Sequence, residues 1–461
     1  MVRWEDSTIL VTGTSGFLGK AVLAALLARD PAPRQVLLLL RAADADAAER
    51  RLRKEVLASE CCASLPAAAR WLAEGRLRAV AGDLASIGID VREPAWGEVG
   101  TAIHCAASVS FEDPLDEILP LNAFGPVWLL ESLRAAGARP HFVHVSTAYA
   151  ADCRRPTVPE DGSIHPALAG LDPEAMLAEA RGWRQQVERR GGDVGQELAR
   201  RGRRHAVACG WPDTYALTKA LGERLLSERS ELTTIVRPTI IESALARPRP
   251  GWLEGIKVAD PLILAYAAGG LTHLSGRFDN RIDIVPVDQV ANACVAAALH
   301  PPEAGTRALA VASSSRNPLT LGELAAQIKA YFRREPLRRG EKEVTIGDLR
   351  FVSRRTAIGR AAARQRLAAG AAALAPPPLR RGLKRNARLA AQITRMVGIY
   401  TPYTELDCAF DDANARGLAA ALSPADRATL PFDTASIDWD DYLQGTHLPE
   451  VRRMAMAPRS H

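Results

Sequence analysis

The chain has 461 residues, and its 47% hydrophobic content is ample for a sizeable core, which excludes a globally disordered protein. Lys and Arg total 59 against 53 Asp and Glu, a net charge of +6 that is mild for this length and predicts no nucleic-acid partner. The seven cysteines are scattered without a CxxC pair or a Cys/His cluster, so we expect free thiols in a reducing compartment and no metal site.

No targeting or membrane-spanning segment is expected. The first ten residues, MVRWEDSTIL, include acidic residues where a signal peptide needs basic and then apolar ones. No window reaches 18 apolar residues, which is the length that a spanning helix requires. These features predict a cytoplasmic protein.

The first third of the chain alternates between apolar runs and helical patterns. Continuously apolar runs are typical of strands that are buried on both faces of a sheet. Strands are predicted at 7–11, 36–40, 77–84, 101–108 and 141–147, with helices between them at 20–29, 43–58 and 115–136. This alternation predicts an α/β fold built on a doubly wound parallel sheet of the Rossmann type.

The alternation breaks between about 152 and 210 and then resumes. The patterns predict helices at 173–190 and 194–204 within this insertion, later helices at 213–229, 288–299 and 320–334, and strands at 233–241 and 281–287. From about 301 the chain is predicted to be mostly helical. We therefore expect a nucleotide-binding domain over 1–300, with an inserted helical segment, and a C-terminal region over 301–461.

A glycine-rich turn, VTGTSGFLG, connects the first predicted strand to the first helix. Gly13 permits a sharp turn, Gly16 lets the backbone approach a pyrophosphate, and Gly19 lets the helix pack closely on the strand. The helix N-terminus then offers free N–H groups to the phosphates. In this strand–turn–helix context the pattern predicts dinucleotide binding, the alternative being a ligand-free βα turn.

The residue at the end of the second strand indicates which dinucleotide is bound. Enzymes that select NAD place Asp or Glu there, but this strand ends in Arg41 and the first acid, Asp44, comes later. Because Arg can pair with a 2′-phosphate, the sequence favours NADPH. The alternative is that Arg41 only caps the strand in solvent.

Tyr215 and Lys219 lie four residues apart on a predicted helix and therefore share a face. A nearby ammonium is expected to lower the pKa of the tyrosine, which would make it a proton donor during hydride transfer. Thr147 is at the end of a predicted strand, at the edge where such folds place their sites, and could bond the reacting oxygen. The alternatives are an ordinary surface pair and a threonine that caps a turn.

Together the TGTSGFLG loop, the HVSTAY strand end and the YALTK helix resemble the extended short-chain dehydrogenase/reductase superfamily. The segments VRPTIIESALARPRPGW (236–252), IYTPYTELDCAFDDANA (399–415) and FDTASIDWDDYLQGTHLPEVRR (432–453) resemble alcohol-forming fatty acyl-CoA reductases in particular. The resemblance spans nearly the whole chain and is weakest over 155–205 and 340–395. It implies that the C-terminal region lies on the side of the acyl substrate.

The resemblance also implies roles for individual residues. Thr147, Tyr215 and Lys219 match the catalytic hydroxyl, the proton donor and the residue that binds the nicotinamide ribose. The positions that match cofactor contacts are Gly13, Thr14, Ser15, Gly16, Phe17, Leu18, Gly19, Arg41, Asp83, Leu84, Ala106, Ala107, Tyr215, Lys219, Pro238 and Thr239.

The activity that the resemblance implies is NADPH-dependent reduction of a long-chain fatty acyl-CoA, through the aldehyde, to the alcohol. Hydride would attack the thioester carbonyl while Tyr215 and Thr147 stabilise the oxyanion, and a second reduction would follow in the same site. The alternatives are a reductase that stops at or starts from the aldehyde, one that acts on carrier-protein thioesters, a sugar or sterol dehydrogenase, and a regulatory NADPH-binding protein. The acyl chain length and the oligomeric state are left open.

A basic segment lies between Asp348 and Glu405, where eleven arginines and one lysine occur without any acidic residue. The segment is rich in Ala and is interrupted by three prolines. Three readings remain open: a solvated helical face, a coenzyme A phosphate contact, and weak peripheral contact with an anionic membrane.

Overall fold

The computed structural model describes residues 4–63, 65–85, 93–162 and 164–457. Its centre is a seven-stranded parallel sheet in the order β7-β6-β5-β4-β1-β2-β3. The strands are β1 Thr8–Thr12, β2 Gln35–Leu40, β3 Leu77–Ala81, β4 Val99–His104, β5 His141–Val145, β6 Leu232–Pro238 and β7 Gly305–Val311. The strand order reverses between β1 and β4, which is where doubly wound sheets bind ligands, and the expected Rossmann-type fold is confirmed.

Helices cover both faces of this sheet because the strand residues alternate between two cores. Ile9 and Val11 of β1 face one core, and Leu10 between them faces the other. The helices are α1 Phe17–Leu27, α2 Ala45–Arg51, α3 Glu60–Ala63, α4 Pro66–Ala73, α5 Leu115–Leu119, α6 Gly125–Ala135, α7 Pro173–Arg190, α8 Val194–Cys209, α9 Thr214–Ser227, α10 Asp260–Ala267, α11 Val287–Leu299, α12 Leu321–Arg334, α13 Arg354–Leu374, α14 Pro377–Thr404, α15 Ala413–Ala421, α16 Pro424–Thr429 and α17 Leu448–Met456. Helices α1 and α11 pack in the first core, and α6 and α9 pack in the second.

Two expected elements differ in the structure. The helix expected over 43–58 is α2, which Asp44 caps by accepting from the Ala47 amide, followed by a π-helical turn at Leu52–Leu57. The strand expected over 233–241 ends at Pro238, after which Ile240–Glu242 pairs with Ile284–Pro286 in a separate two-stranded sheet. The residues after Pro238 therefore leave the main sheet at its carboxyl edge.

The strand β7 was missed by the sequence analysis. Its residues, GTRALAV, form an edge strand that pairs in parallel with β6, with Val311 opposite Pro238. Small residues and a central arginine give it a weak strand pattern. The sheet thus takes a strand from beyond residue 300, while the expected domain boundary at that position stays a prediction.

The insertion and the C-terminal region both pack against the part of the chain that contains the main sheet. Helices α7 and α8 confirm the two expected insertion helices, and Met176, Ala180 and Ala206 join the core beneath α9. A third core joins α10, α12, α14 and α17 to the small sheet that contains Ile240 and Ile284. In the described ranges no helix combines the length and apolar character needed to cross a membrane.

Candidate active site

The glycine loop has the tight geometry that the sequence predicted. Gly13 has a φ of +74°, and a Cβ there would lie 2.6 Å from the Ala106 amide nitrogen. A Cβ on Gly19 would lie 2.1 Å from the Gly13 carbonyl oxygen. Neither position tolerates a side chain, so the strand, the loop and helix α1 are in direct backbone contact.

The start of helix α1 is open to a ligand. Gly16 is its N-cap residue and provides no side-chain cap, and the first turn contains no acidic residue. Ser15 is exposed, while the buried Thr14 hydroxyl has no hydrogen-bond partner in the described part of the chain. Phe17 packs against Trp252 with ring centroids 4.8 Å apart, and Leu18 packs on the core below. The uncapped amides and the unpartnered hydroxyl fit a dinucleotide pyrophosphate.

Gly19→Ala is expected to unfold a large fraction of the protein or to abolish cofactor binding. The added methyl group must displace the Gly13 backbone, because no flexible side chain lies in its way. Thermal unfolding and nucleotide titration measure the two effects. The matched change is Gly182→Ala in α7, where nothing lies within 4 Å of the added Cβ. It should keep the stability within about 1 kcal/mol of the wild type, and equal effects of the two substitutions would contradict the packing argument.

Arg41 lies immediately after β2, with its side chain exposed. Its carbonyl oxygen accepts a hydrogen bond of 2.5 Å from the Arg51 guanidinium, which also pairs with Glu55 at 2.6 Å. The nearest acid in sequence, Asp44, is used as the cap of α2. The strand end therefore offers an exposed guanidinium and no acid that is free for a ribose hydroxyl.

The other expected adenosine-side positions lie on the neighbouring strand ends. Asp83 follows β3, and its carboxylate accepts from the Ala85 amide at 3.0 Å. Leu84 is buried in the second core. Ala106 and Ala107 follow β4, and the Ala106 amide donates to the Thr12 hydroxyl at 3.1 Å, which holds this loop against the glycine turn. These residues thus follow β3 and β4 at the carboxyl edge of the sheet.

Tyr215 and Thr147 are in contact at the same edge. Thr147 follows β5, and its hydroxyl accepts from the Tyr149 amide at 3.4 Å. Tyr215 lies in the first turn of α9, with its hydroxyl close to the Thr147 side chain. Burial raises the pKa of Tyr215 to about 12, while the Thr147 hydroxyl acts in the opposite direction and the Asp213 charge adds to the rise. Tyr215 is therefore a neutral phenol at pH 7.

The expected lowering of the Tyr215 pKa by Lys219 is wrong. The Lys219 ammonium donates to the Val145 carbonyl at 2.5 Å, with His144 Nε2 at 3.3 Å. Lys219 is not among the groups that dominate the Tyr215 pKa, which burial controls. The two side chains do share a helix face, as predicted, and both reach the end of β5.

Lys219 is buried in a polar region that the sequence analysis missed. Burial lowers its pKa to about 8, against the opposing charges of Glu223 and Cys105. His144 lies directly opposite His104 in the sheet register, and the two rings stack with centroids 5.3 Å apart. The sequence did offer a signal for this polar region, because His104 and His144 each lie within a largely apolar strand. Burial lowers the pKa of His104 to about 3, so it is neutral beneath the site.

The two residues expected beside the nicotinamide, Pro238 and Thr239, have different surroundings in the structure. Pro238 ends β6 beside β5, where Val236 is paired with Val145, and so lies near Thr147. The Thr239 hydroxyl, by contrast, is buried and donates to the Asp283 carboxylate at 2.8 Å. In this structure the Thr239 side chain is held by the protein itself.

Aromatic side chains from distant segments surround Tyr215. Phe111 contacts Tyr215 with ring centroids 5.7 Å apart and also contacts Tyr400 and Tyr403 of helix α14. The Tyr403 hydroxyl donates to the Asp213 carboxylate at 2.5 Å, and that carboxylate caps α9. The C-terminal region is thereby bonded to the start of helix α9, which carries Tyr215. The sequence spacing gave no signal for these contacts, which only the tertiary fold creates.

A second buried polar group joins the C-terminal region to the small sheet. His447 Nε2 lies 3.3 Å from Asp260 Oδ1 and 4.0 Å from Glu242 Oε2, and all three side chains are buried. Burial and the neighbouring Asp260 charge raise the pKa of Glu242 well above its ordinary value. The expectation that the protein has no metal site remains a prediction.

Comparisons with known proteins agree with this geometry. A sequence profile described as "Male sterility protein" matches residues 11–294, and a second profile of that description matches residues 378–456. The chain is 31% identical to Probable fatty acyl-CoA reductase 5 of Arabidopsis thaliana, with 96% of each chain covered. It is 30% identical to the alcohol-forming fatty acyl-CoA reductase of Simmondsia chinensis, with 97% of each chain covered.

The fold is also found among solved structures. The terminal R domain from the myxalamid PKS-NRPS biosynthetic pathway superposes with a TM-score of 0.63 at 17% identity, covering 100% of this chain and 94% of that one. The sequence relatives align over nearly all of the chain, and the first profile spans more than half of it. The chain therefore belongs to the fatty acyl-CoA reductase family, within the extended short-chain dehydrogenase/reductase superfamily, and is a nicotinamide-dependent oxidoreductase.

Proposed function

We propose that the protein reduces long-chain fatty acyl-CoA, through the aldehyde, to the fatty alcohol with NADPH. The observation that carries this proposal is the contact between Tyr215 and Thr147 at the carboxyl edge of the sheet, next to an open dinucleotide cradle. The relative from Simmondsia chinensis is named as alcohol-forming, which supports the second reduction. The cytoplasm is the proposed compartment, in accord with seven free cysteines.

NADPH supplies the hydride when it is bound. The chain's own contribution is to the carbonyl oxygen, which gains negative charge as the carbonyl carbon is reduced. The Tyr215 phenol donates a hydrogen bond and then a proton to that oxygen, and the Thr147 hydroxyl bonds to the phenol and fixes its direction. The carbon–sulfur bond of the resulting hemithioacetal then breaks, its hydroxyl proton returns to Tyr215, and the coenzyme A thiolate leaves and takes a proton from solvent. The aldehyde left behind needs the same proton donor for its own reduction.

The acyl side of the site is proposed to lie among Phe111, Tyr400 and Tyr403. Phe111 adjoins Tyr215 and also contacts the other two rings, which come from helix α14, nearly all of which lies within the second family profile. Aromatic and apolar walls suit a hydrocarbon chain, since such sites exclude water from the reacting carbonyl. The long-chain preference rests on this lining.

The decisive experiment uses the purified protein with a C16 acyl-CoA and NADPH, followed by separate measurement of free coenzyme A, aldehyde and alcohol. The proposal predicts two NADPH oxidised for each coenzyme A released, with alcohol as the product. One NADPH per coenzyme A with accumulating aldehyde would limit the activity to the first step. No coenzyme A release would contradict the proposal.

Arg41→Asp is expected to reduce the preference for NADPH over NADH by about tenfold or more. A charge-assisted hydrogen bond to a phosphate contributes about 1.5–3 kcal/mol, and the aspartate would repel that phosphate. The measurement is kcat/KM for each nucleotide with the same acyl-CoA.

Arg139→Asp is the matched control, because this exposed arginine precedes β5 at the opposite edge of the sheet. It makes the same charge change far from the cradle and should leave the nucleotide preference unaltered. Equal use of NADH and NADPH by the wild type would refute the role of Arg41.

A further inference from the structure

Helices α13 and α14 form a long antiparallel hairpin whose turn contains three prolines, Pro376 to Pro378. Near this turn three leucines face solvent: Leu367 is 76% exposed, Leu374 is 88% exposed and Leu379 is 60% exposed. Single exposed leucines are unremarkable, but three around one turn form an apolar projection that water disfavours. We call residues 366–388 the hairpin tip.

The same tip carries a concentration of positive charge. Its basic residues, all exposed, are Arg366, Arg380, Arg381, Lys384, Arg385 and Arg388. Within the described ranges no carboxylate lies within ion-pair distance of these six side chains. Arg395, nearer the base of the hairpin, is different, because it pairs with Glu112 at 2.6 Å. The tip thus combines uncompensated charge with exposed apolar side chains.

We propose that the hairpin tip docks on an anionic lipid bilayer. Basic side chains bind the headgroups, and the three leucines enter the boundary between headgroups and acyl chains. Charge complementarity commits the surface to an anionic partner, and the leucines select a bilayer over a soluble phosphate, which offers them no apolar environment. A purely solvated face would account for the arginines but not for three leucines at the turn.

The tip is far from the reacting groups. Helix α14 has 28 residues, roughly 40 Å at 1.5 Å per residue, and Tyr400 and Tyr403 beside the active site are at its other end. Changes at the tip should therefore leave turnover of a micelle-free, short-chain acyl-CoA unaltered. Docking would hold the acyl side of the site within one helix length of the bilayer in which long-chain products partition.

The test is co-sedimentation of the full chain with vesicles of phosphatidylcholine alone or mixed with phosphatidylserine, at about 50 mM and about 500 mM salt. The wild type should bind the anionic vesicles at low salt and lose most of this binding at high salt. In one variant Arg380, Arg381, Lys384 and Arg385 are changed to Gln. Each change should weaken vesicle binding about fivefold, so this variant should bind at least about a hundredfold more weakly than the wild type. The variant Leu374→Ser with Leu379→Ser should lose about tenfold at both salt concentrations.

Two control variants make comparable changes elsewhere. Arg189→Gln with Arg190→Gln removes exposed charge at the end of α7, and Val207→Ser removes a side chain that is 58% exposed on α8. Both should bind as the wild type does. Failure of the wild type to bind anionic vesicles at low salt would overturn the proposal, as would equal binding by the tip variants.

The same measurements distinguish binding to lipid headgroups from binding to the phosphates of coenzyme A. If the Gln variant had an increased KM for short-chain acyl-CoA without lipid, and free coenzyme A displaced the wild type from vesicles, the tip would be a coenzyme A site and the proposal would be overturned. Vesicle binding needs no turnover. A protein that binds vesicles without reducing acyl-CoA would therefore contradict the proposed function alone.

Discussion

Tyr215→Phe is expected to lower turnover by roughly 10²–10⁴-fold, the usual contribution of a positioned proton donor. The hydroxyl is the group that contacts Thr147, and its pKa of about 12 keeps it protonated at neutral pH. Phenylalanine retains the ring contact with Phe111, so the fold should persist. Single-turnover rates measure the chemical step, and nucleotide titration should give a nearly unchanged NADPH affinity.

The control for this change is Tyr331→Phe on helix α12. It removes the same hydroxyl from a buried tyrosine in the third core, away from the site. Its turnover should match the wild type. Near-normal reduction by the Tyr215→Phe protein would remove Tyr215 from the mechanism, and a fall in nucleotide affinity as large as the fall in turnover would indicate damage to the site instead.

Thr147 provides a second test of the same contact. Thr147→Val keeps the branched shape and removes the hydroxyl that lies close to Tyr215 and accepts from the Tyr149 amide. The expected loss in turnover is smaller than for Tyr215→Phe, about 10-fold to 10²-fold, because the phenol keeps its proton but loses its orientation.

The parts of the fold that local sequence fixes were predictable. The strands β1 to β5 are largely apolar because both sheet faces are covered, and the glycine spacing follows from backbone contacts that leave no room at Gly13 or Gly19. The pair Tyr215 and Lys219 was placed correctly on one helix face. These features depend on residues close in sequence, or on a pattern with a fixed period.

The features that were wrongly predicted or missed depend on tertiary contacts. The direction of the Tyr215 pKa shift was wrong because burial outweighs any nearby charge, and the Lys219 ammonium is occupied by the Val145 carbonyl. The bond from Tyr403 to Asp213 joins residues 190 positions apart. The bond from the Thr239 hydroxyl to Asp283 had no signal in the sequence, and the expected place of Thr239 beside the cofactor stays a prediction. No spacing in the sequence encodes which of several possible partners a buried polar group finds.

Lys219→Met is expected to lower turnover and NADPH affinity while the protein stays folded. Turnover should fall by about 10²-fold or more and NADPH affinity by about tenfold, since the ammonium proposed to hold the ribose is lost. Methionine fills a similar volume, so the core around Val145 and His144 should remain packed. Initial rates and nucleotide titration measure the functional losses, and denaturant unfolding measures stability. Lys257→Met, at an exposed lysine, is the control and should alter none of these quantities.

The difference in the free energy of unfolding between the wild type and Lys219→Met is expected to change with pH. Burial lowers the Lys219 pKa from 10.5 to about 8 in the folded protein, so between these values the unfolded chain binds more protons than the folded one. The wild type is therefore penalised fully below pH 8, and the penalty disappears as the pH rises towards 10.5. The free energy of unfolding of the wild type should increase relative to that of Lys219→Met by up to about 3 kcal/mol between pH 7 and pH 10.5. A difference between the two proteins that stays constant over this range would show that Lys219 is not buried as an ammonium.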